Sequence, residues 1–202
     1  MKDADNNEYE TVLIGNQCWT KTNLRVKPAG ATDGTASGAS SATDPYYYVN
    51  SDVNAATYGY YYNWAAAKLA CPSGWHLPSD EEWTVFENYL KNQSECKCNN
   101  NENFIAKAIA STNGWKVPAG DNVACMVGKD ADANNVTGFS AVPAGIRIGS
   151  RFDSFGENTY FWSSKQNDSD YAYPRNLFYN HPGVYGAIYE KSNGFSVRCL
   201  RD

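Results

Sequence analysis

No stretch of this chain approaches the roughly 20 consecutive apolar residues that a membrane-spanning helix needs, so insertion into a bilayer by a helix is excluded. The opening MKDADNNEYE has no apolar core of the kind a signal peptide carries. An exported protein would have had its signal removed ahead of Met1, whereas a chain natively starting at Met1 fits a virion protein made in the cytosol. Basic runs are missing too. Seventeen Lys and Arg stand singly against 22 Asp and Glu, for a net charge of -5, so the footprint of a nucleic-acid binder is absent.

Histidine is equally scarce. Of the two, His76 lies between Trp75 and Leu77 and reads as a packing residue, while His181 sits in the turn Tyr179-Asn180-His181-Pro182-Gly183 and reads as exposed. Acid-base catalysis usually needs a histidine held by a carboxylate or beside a nucleophile, and no such pairing is legible. Ser163-Ser164 lacks a Gly-x-Ser-x-Gly context. Asp80, Glu81 and Glu82 suit the positive end of a helix macrodipole better than acid catalysis. The expectation is a protein without catalysis and without a cofactor.

What is present is aromatic, small and turn-forming. With 202 residues and no linker-like break, the expectation is one domain over 1–202. Residues 29–44 are a Gly/Ala/Ser/Thr-rich stretch with too little to bury, hence an exposed loop. Glu8 to Ile14 alternates, Gly15-Asn16 turns and Gln17 to Thr20 returns, a hairpin signal. Tyr60 to Ala70 reads as an Ala-rich helix stopped at Cys71-Pro72, with its aromatic entry packed inward. From Asp80 to Lys91, Trp83, Phe86 and Leu90 recur at helical spacing behind Ser79, which with Glu82 makes a capping box. Asn103 to Ala110 repeats that pattern in miniature. Beyond Trp115, strands are expected over 139–148, 159–164, 171–179, 184–190 and 195–200. Helices first and antiparallel strands after define an α+β class.

Five phrases carry a resemblance: QCWTKTNLR at 17–25, YGYYYNWAAA at 58–67, CPSGWHLPSDEEW at 71–83, FWSS at 161–164 and GFSVRCLRD at 194–202. In this order they resemble the Fibrobacter succinogenes major paralogous domain. The resemblance implies a C-type-lectin-like fold, with two or three helices, a small twisted antiparallel sheet and many long loops. That fold is shared with formylglycine-generating enzymes and with the variable proteins of diversity-generating retroelements. It implies a fold more firmly than a function, because one fold hosts unrelated sites.

The six cysteines allow too many pairings to choose among by sequence. The resemblance implies Cys71 with Cys199, joining the helical region to the last strand, after which Cys96 or Cys98 is left to pair with Cys125. A metal reading of Cys96-x-Cys98 fails on spacing and on the lack of a second pair. No cysteines match the copper-binding pair of the formylglycine-generating enzymes by spacing. The calcium tripeptides of sugar-binding lectins are also missing: Trp162 is followed by Ser163-Ser164, and no Glu-Pro-Asn occurs. Residues 129–135 begin like an EF-hand loop but lack the glycine at its sixth position and the glutamate at its twelfth, so a solvated loop is expected.

The positive functional signal is the stretch from Lys165 to Asn193, dense in Tyr, Asn, Asp and Ser. Tyrosine offers contact area at low entropic cost and Asn and Ser offer adaptable hydrogen bonds, the chemistry of antibody paratopes. The candidate ligand contacts are Gln166, Asn167, Asp168, Asp170, Tyr171, Tyr173, Arg175, Phe178, Tyr179, His181, Tyr185 and Tyr189. Strand alternation displays Tyr185, Ala187 and Tyr189 and turns Val184, Gly186 and Ile188 inward. The expected partner is a protein or glycan on a cell or phage surface, met outside the cell or on a virion. An adhesin, a retroelement variable protein and a structural surface module remain as alternatives. Adenine-directed mutagenesis of Asn codons yields the vocabulary seen here.

Overall fold

A computed structural model describes all 202 residues, Met1–Asp202. The chain opens on the expected hairpin, β1 (Thr11–Ile14) against β2 (Gln17–Thr20), turning at Gly15 with φ +62°. A Cβ there would lie 2.9 Å from the Tyr89 ring, so both backbone and packing require glycine. Next, β3 (Thr32–Asp33) runs parallel to β4 (Tyr46–Tyr48), and β4 is antiparallel to β5 (Tyr61–Tyr62). Residues 29–44 are therefore mostly exposed yet anchored. Besides β3, Ser40 Oγ donates to the Ser192 carbonyl at 3.2 Å, and Arg147 donates to that of Ala39 at 3.0 Å.

The helix expected over 60–70 is much shorter. After α1 (Ala55–Tyr58), Tyr61 and Tyr62 are taken up in β5 by Tyr48 and Tyr47, and helix begins only at Trp64, capped by Asn63, as α2 (Trp64–Ala67). Aromatic cross-strand pairing overrides the propensity of the alanines. The aromatic entry does pack inward: Tyr61, Tyr62 and Trp64 are buried. After β6 (Trp75–His76), α3 (Asp80–Asn92) has both halves of the capping box and buries Trp83, Phe86 and Leu90 as its periodicity predicts. The miniature helix is α4 (Ala106–Ile109), a single turn.

The C-terminal half is built of strands: β7 (Ile146–Ile148), β8 (Arg151–Asp153), β9 (Asn158–Gln166), β10 (Tyr171–Phe178), β11 (Tyr185–Gly186), β12 (Tyr189–Glu190) and β13 (Leu200–Arg201). Of the strand expected over 139–148 only the end forms, and the one over 184–190 splits in two because its halves pair with different parts of β10. Six short strands also precede α3, so helices do not simply come first. The class is α+β.

Two sheets organise the packing. One has the order β1-β2-β13-β6, which inserts the C-terminal strand between the opening hairpin and the segment before α3. In the other, β10 pairs with β9, β11 and β12. Side chains alternate across a strand, and β9 uses both faces. Phe161 joins Trp19, Trp83, Phe86 and Phe139 in one apolar cluster, while Tyr160 and Trp162 join Phe195 and Val197 in the other. Both clusters draw on residues from both ends of the chain.

Disulfides join Cys71 to Cys199 and Cys98 to Cys125, leaving Cys18 and Cys96 as thiols. Burial pushes the Cys96 thiol up to about 11, which suppresses its thiolate. Arg198, in the last family-like phrase, is fully buried and makes no ion pair. Its guanidinium donates to Asn23 Oδ1 at 2.7 Å and to the carbonyls of Thr20, Phe139 and Ser140 at 2.9, 2.8 and 2.9 Å. It lies over the rings of Phe139 and Phe161. Burial without an anion pushes its pKa down to about 9, still high enough to keep the charge at neutral pH. This cation ties the β2 region, the 139–140 segment and the C-terminal strand through acceptors that would otherwise be orphaned.

Candidate functional site

β9 and β10 meet in a hairpin whose tip leaves the core. Every residue from Ser164 to Tyr171 is exposed, so Gln166, Asn167, Asp168, Asp170 and Tyr171 are displayed as expected. The tip is nevertheless fixed. Asp168 Oδ1 accepts from the backbone N–H of Asp170 at 2.8 Å and of Tyr171 at 2.9 Å, and these bonds hold its carboxyl below the usual range. The half-buried Tyr173 donates its hydroxyl to Asn167 Oδ1 at 2.7 Å. Under the tip lies the buried ammonium of Lys191, donating to the Asp168 carbonyl at 2.5 Å, the Ser169 carbonyl at 3.1 Å and Gln166 Oε1 at 3.2 Å. The Trp64 ring supports it from the core side, 4.5 Å from the ammonium.

The other end of β10 carries a second group. His181 and Tyr185 are exposed and Phe178 and Tyr179 half-buried. The His181 ring lies 5.6 Å from both Phe178 and Tyr185, and the Tyr185 hydroxyl is 3.4 Å from His181 Nδ1. At about 3.3 Å per residue, β10 keeps the two groups roughly 23 Å apart. The candidate contacts are thus two separate surfaces.

Three expectations fail here. Arg175 is not displayed: it is 7% exposed, its Nε 2.6 Å from Glu87 and its NH1 2.5 Å from Asp80, so it bolts β10 to α3. Burial opposes the charge, but the bonds to Glu87 and then Asp80 outweigh it and raise the Arg175 pKa. Tyr189 is half-buried, edge-on to Tyr160 at 5.3 Å and to Phe195 at 5.5 Å, because pairing with Ala172 turns it toward the second cluster. The alternation from 184 to 190 breaks with the strand, leaving Ile188 50% exposed. Arg175→Ala is expected to cost about 2 kcal/mol, the scale of two charge-assisted bonds whose carboxylates regain partial hydration. Chemical denaturation checks this, and an unchanged midpoint would contradict the bolt.

His76 does have carboxylate partners. Its Nε2 lies 2.8 Å from Glu82 and its Nδ1 2.6 Å from Asp202, joining the capping box of α3 to the last residue. The Asp202 partner lies 126 residues away and leaves no local signal, whereas Glu82 is only six residues on, in the capping box itself. Burial works against protonation, but the bonds to Asp202 and Glu82 outweigh it and raise the His76 pKa; for Glu82, burial raises but the Ser79 and His76 bonds prevail and lower it. The histidine contribution is complete below the unfolded histidine pKa and lost as pH rises through the higher folded value. That of Glu82 is present above the unfolded carboxyl pKa and lost as pH falls through the lower folded one. Melting temperature should therefore decline as pH rises past the ordinary histidine range, modestly because the ring is part exposed. The decline should flatten in His76→Gln.

In the 129–135 loop, Lys107 donates its ammonium to the Lys129 carbonyl and, at 3.3 Å, to that of Asp130. No three His, Cys, Asp or Glu side chains converge as a metal-ligand group.

These observations define a disulfide-braced α+β protein whose last strand closes onto its first hairpin and whose longest hairpin is buried along its strands and presents its tip to solvent. No helix is long and apolar enough to cross a membrane. Residues 12–201 match the Fibrobacter succinogenes major domain, and the chain belongs to that family. Neither the curated proteins nor the solved structures contain a match to it.

Proposed function

We propose that this is a non-catalytic, extracellular or virion-associated ligand-binding module built on a C-type-lectin-like frame. The observation that carries the reading is the β9–β10 tip, fully exposed yet held from beneath by the buried Lys191 ammonium. A loop pre-organised in this way pays little ordering entropy on binding. Its tyrosine, asparagine and aspartate side chains suit a protein or glycan surface. Two disulfides favour an oxidising compartment. Against a copper-oxidase reading, four cysteines are committed to disulfides and the Cys96 thiol is buried.

The variable protein of a diversity-generating retroelement is the finer form of this reading. It requires variation at exposed positions such as Asn167, Asp170 and Tyr171, with Arg175 and Lys191 constant. A neighbouring near-identical DNA repeat differing opposite adenines, beside a reverse transcriptase gene, would mark it, and its absence would remove that form.

Glycan and protein arrays screened in chelator provide the test. Tyr171→Ala and Asn167→Ala should each weaken capture by about 1–4 kcal/mol without lowering the melting temperature, as for anchors at an interface. Capture that needs calcium, or that survives both substitutions, would place recognition elsewhere.

A further inference from the structure

The far end of β10 carries a cleft of about 200 Å³ between α3, the 103–105 segment and the 183–185 turn. Its base is apolar, with Ile105 buried and Phe104 half-buried, and Tyr185, 39% exposed, forms one wall. Polar groups complete the lining: Asn103, and Glu87 and Lys91 one turn apart on α3.

The cleft is preformed. The Cys98–Cys125 disulfide and the bond from Cys98 N–H to the Phe104 carbonyl at 3.0 Å fix one side. The bond from Ala106 N–H to the Pro182 carbonyl at 2.9 Å fixes that side to the turn. Gly183 allows the close approach: a Cβ there would come 3.0 Å from the Asn103 carbonyl oxygen and 3.3 Å from the Tyr185 ring. The charges are unequal. Glu87 is bonded to Arg175, which it shares with Asp80, whereas Lys91 makes no ion pair. The lining therefore presents an aromatic wall, hydrogen-bonding groups of both kinds and one ammonium, that of Lys91, with no ion-pair partner.

We propose that this cleft binds a single acidic sugar residue, a hexose-type ring bearing a carboxylate. The volume admits one ring. The apolar face of a pyranose suits Tyr185 and Phe104, its hydroxyls can both donate and accept among Asn103, Glu87 and the phenol, and the carboxylate meets Lys91. A purely apolar protein side chain would leave that polar half of the lining unpaired, which costs affinity. Because Tyr185 pairs with Asn176, the site lies about 17 Å along β10 from Tyr171 and stands independently of the function proposed for the tip.

The test is amide chemical-shift mapping of the full chain titrated with glucuronate and galacturonate against glucose and galactose. Shifts are expected to concentrate at residues 103–105 and 183–186, with millimolar affinity and the acidic sugars bound several-fold more tightly. Tyr185→Ala should weaken binding more than tenfold, and Lys91→Met should erase the preference for the acidic sugars while keeping weak neutral binding. Circular dichroism confirms the fold of each variant, and Tyr171→Ala should leave the titration unchanged, separating this site from the tip. Absence of shifts in the cleft with all four sugars, shifts unaffected by Tyr185→Ala, or cleft shifts given only by aromatic dipeptides would each overturn the proposal.

Discussion

Removing the Cys71–Cys199 disulfide, by replacing both cysteines with alanine, is expected to destabilise the protein by about 4–5 kcal/mol, a fall in melting temperature of roughly 10–15 °C. The bond closes a span of 128 residues, so its loss returns to the unfolded chain the freedom of most of the sequence. The effect should exceed that of breaking Cys98–Cys125, which spans 27 residues, by roughly 1–1.5 kcal/mol on loop length alone. The positions differ in the same direction. Cys199 is buried beside β13, the strand between β2 and β6, whereas the shorter loop braces a peripheral segment. Differential scanning of the two double variants settles the ranking, and equal losses would show that the entropy of the unfolded chain does not govern the difference.

Trp83→Ala is expected to cost about 3–5 kcal/mol, the range for deleting a large buried aromatic. Trp83 is 1% exposed, with Trp19 at 4.6 Å, Phe86 at 5.6 Å, Phe161 at 5.9 Å and Phe139 at 6.1 Å between ring centroids. The cavity would open where β2, α3 and β9 meet, too tightly framed to collapse. Trp83→Phe should cost less than half as much, because the indole N–H has no partner and its removal forfeits no hydrogen bond. Urea denaturation of both variants checks this, and equal losses would mean that the indole ring is irreplaceable by shape.

What can be read from the sequence is what is local. The α3 helix is legible because its signals, Ser79, Glu82 and the 83-86-90 spacing, all fall within a dozen residues. The Cys71–Cys199 pairing follows from the family-like phrases; spacing alone leaves it open. Arg175 reads as displayed because its carboxylates lie 88 and 95 residues away in sequence, and nothing in YAYPRNLF says which face the guanidinium takes. Tyrosine is ambiguous for a related reason: its ring suits a core and its hydroxyl a surface. Tyr171 and Tyr189 share that composition but differ in burial. The His76 and Lys191 partnerships are invisible on the same ground, since each is completed by groups distant in sequence.

The way Lys191 holds the hairpin tip bears on how freely that tip can change in evolution. Two of its three acceptors are main-chain carbonyls, which every amino acid brings, and only Gln166 contributes through its side chain. A substitution at 168 keeps its carbonyl but gives up the carboxylate bonds to the N–H groups of Asp170 and Tyr171, while one at 169 leaves both carbonyl acceptors and those bonds in place whatever residue arrives. New side-chain chemistry can be sampled there against a constant backbone, so the gain of a partner and the loss of the fold are largely decoupled at this loop.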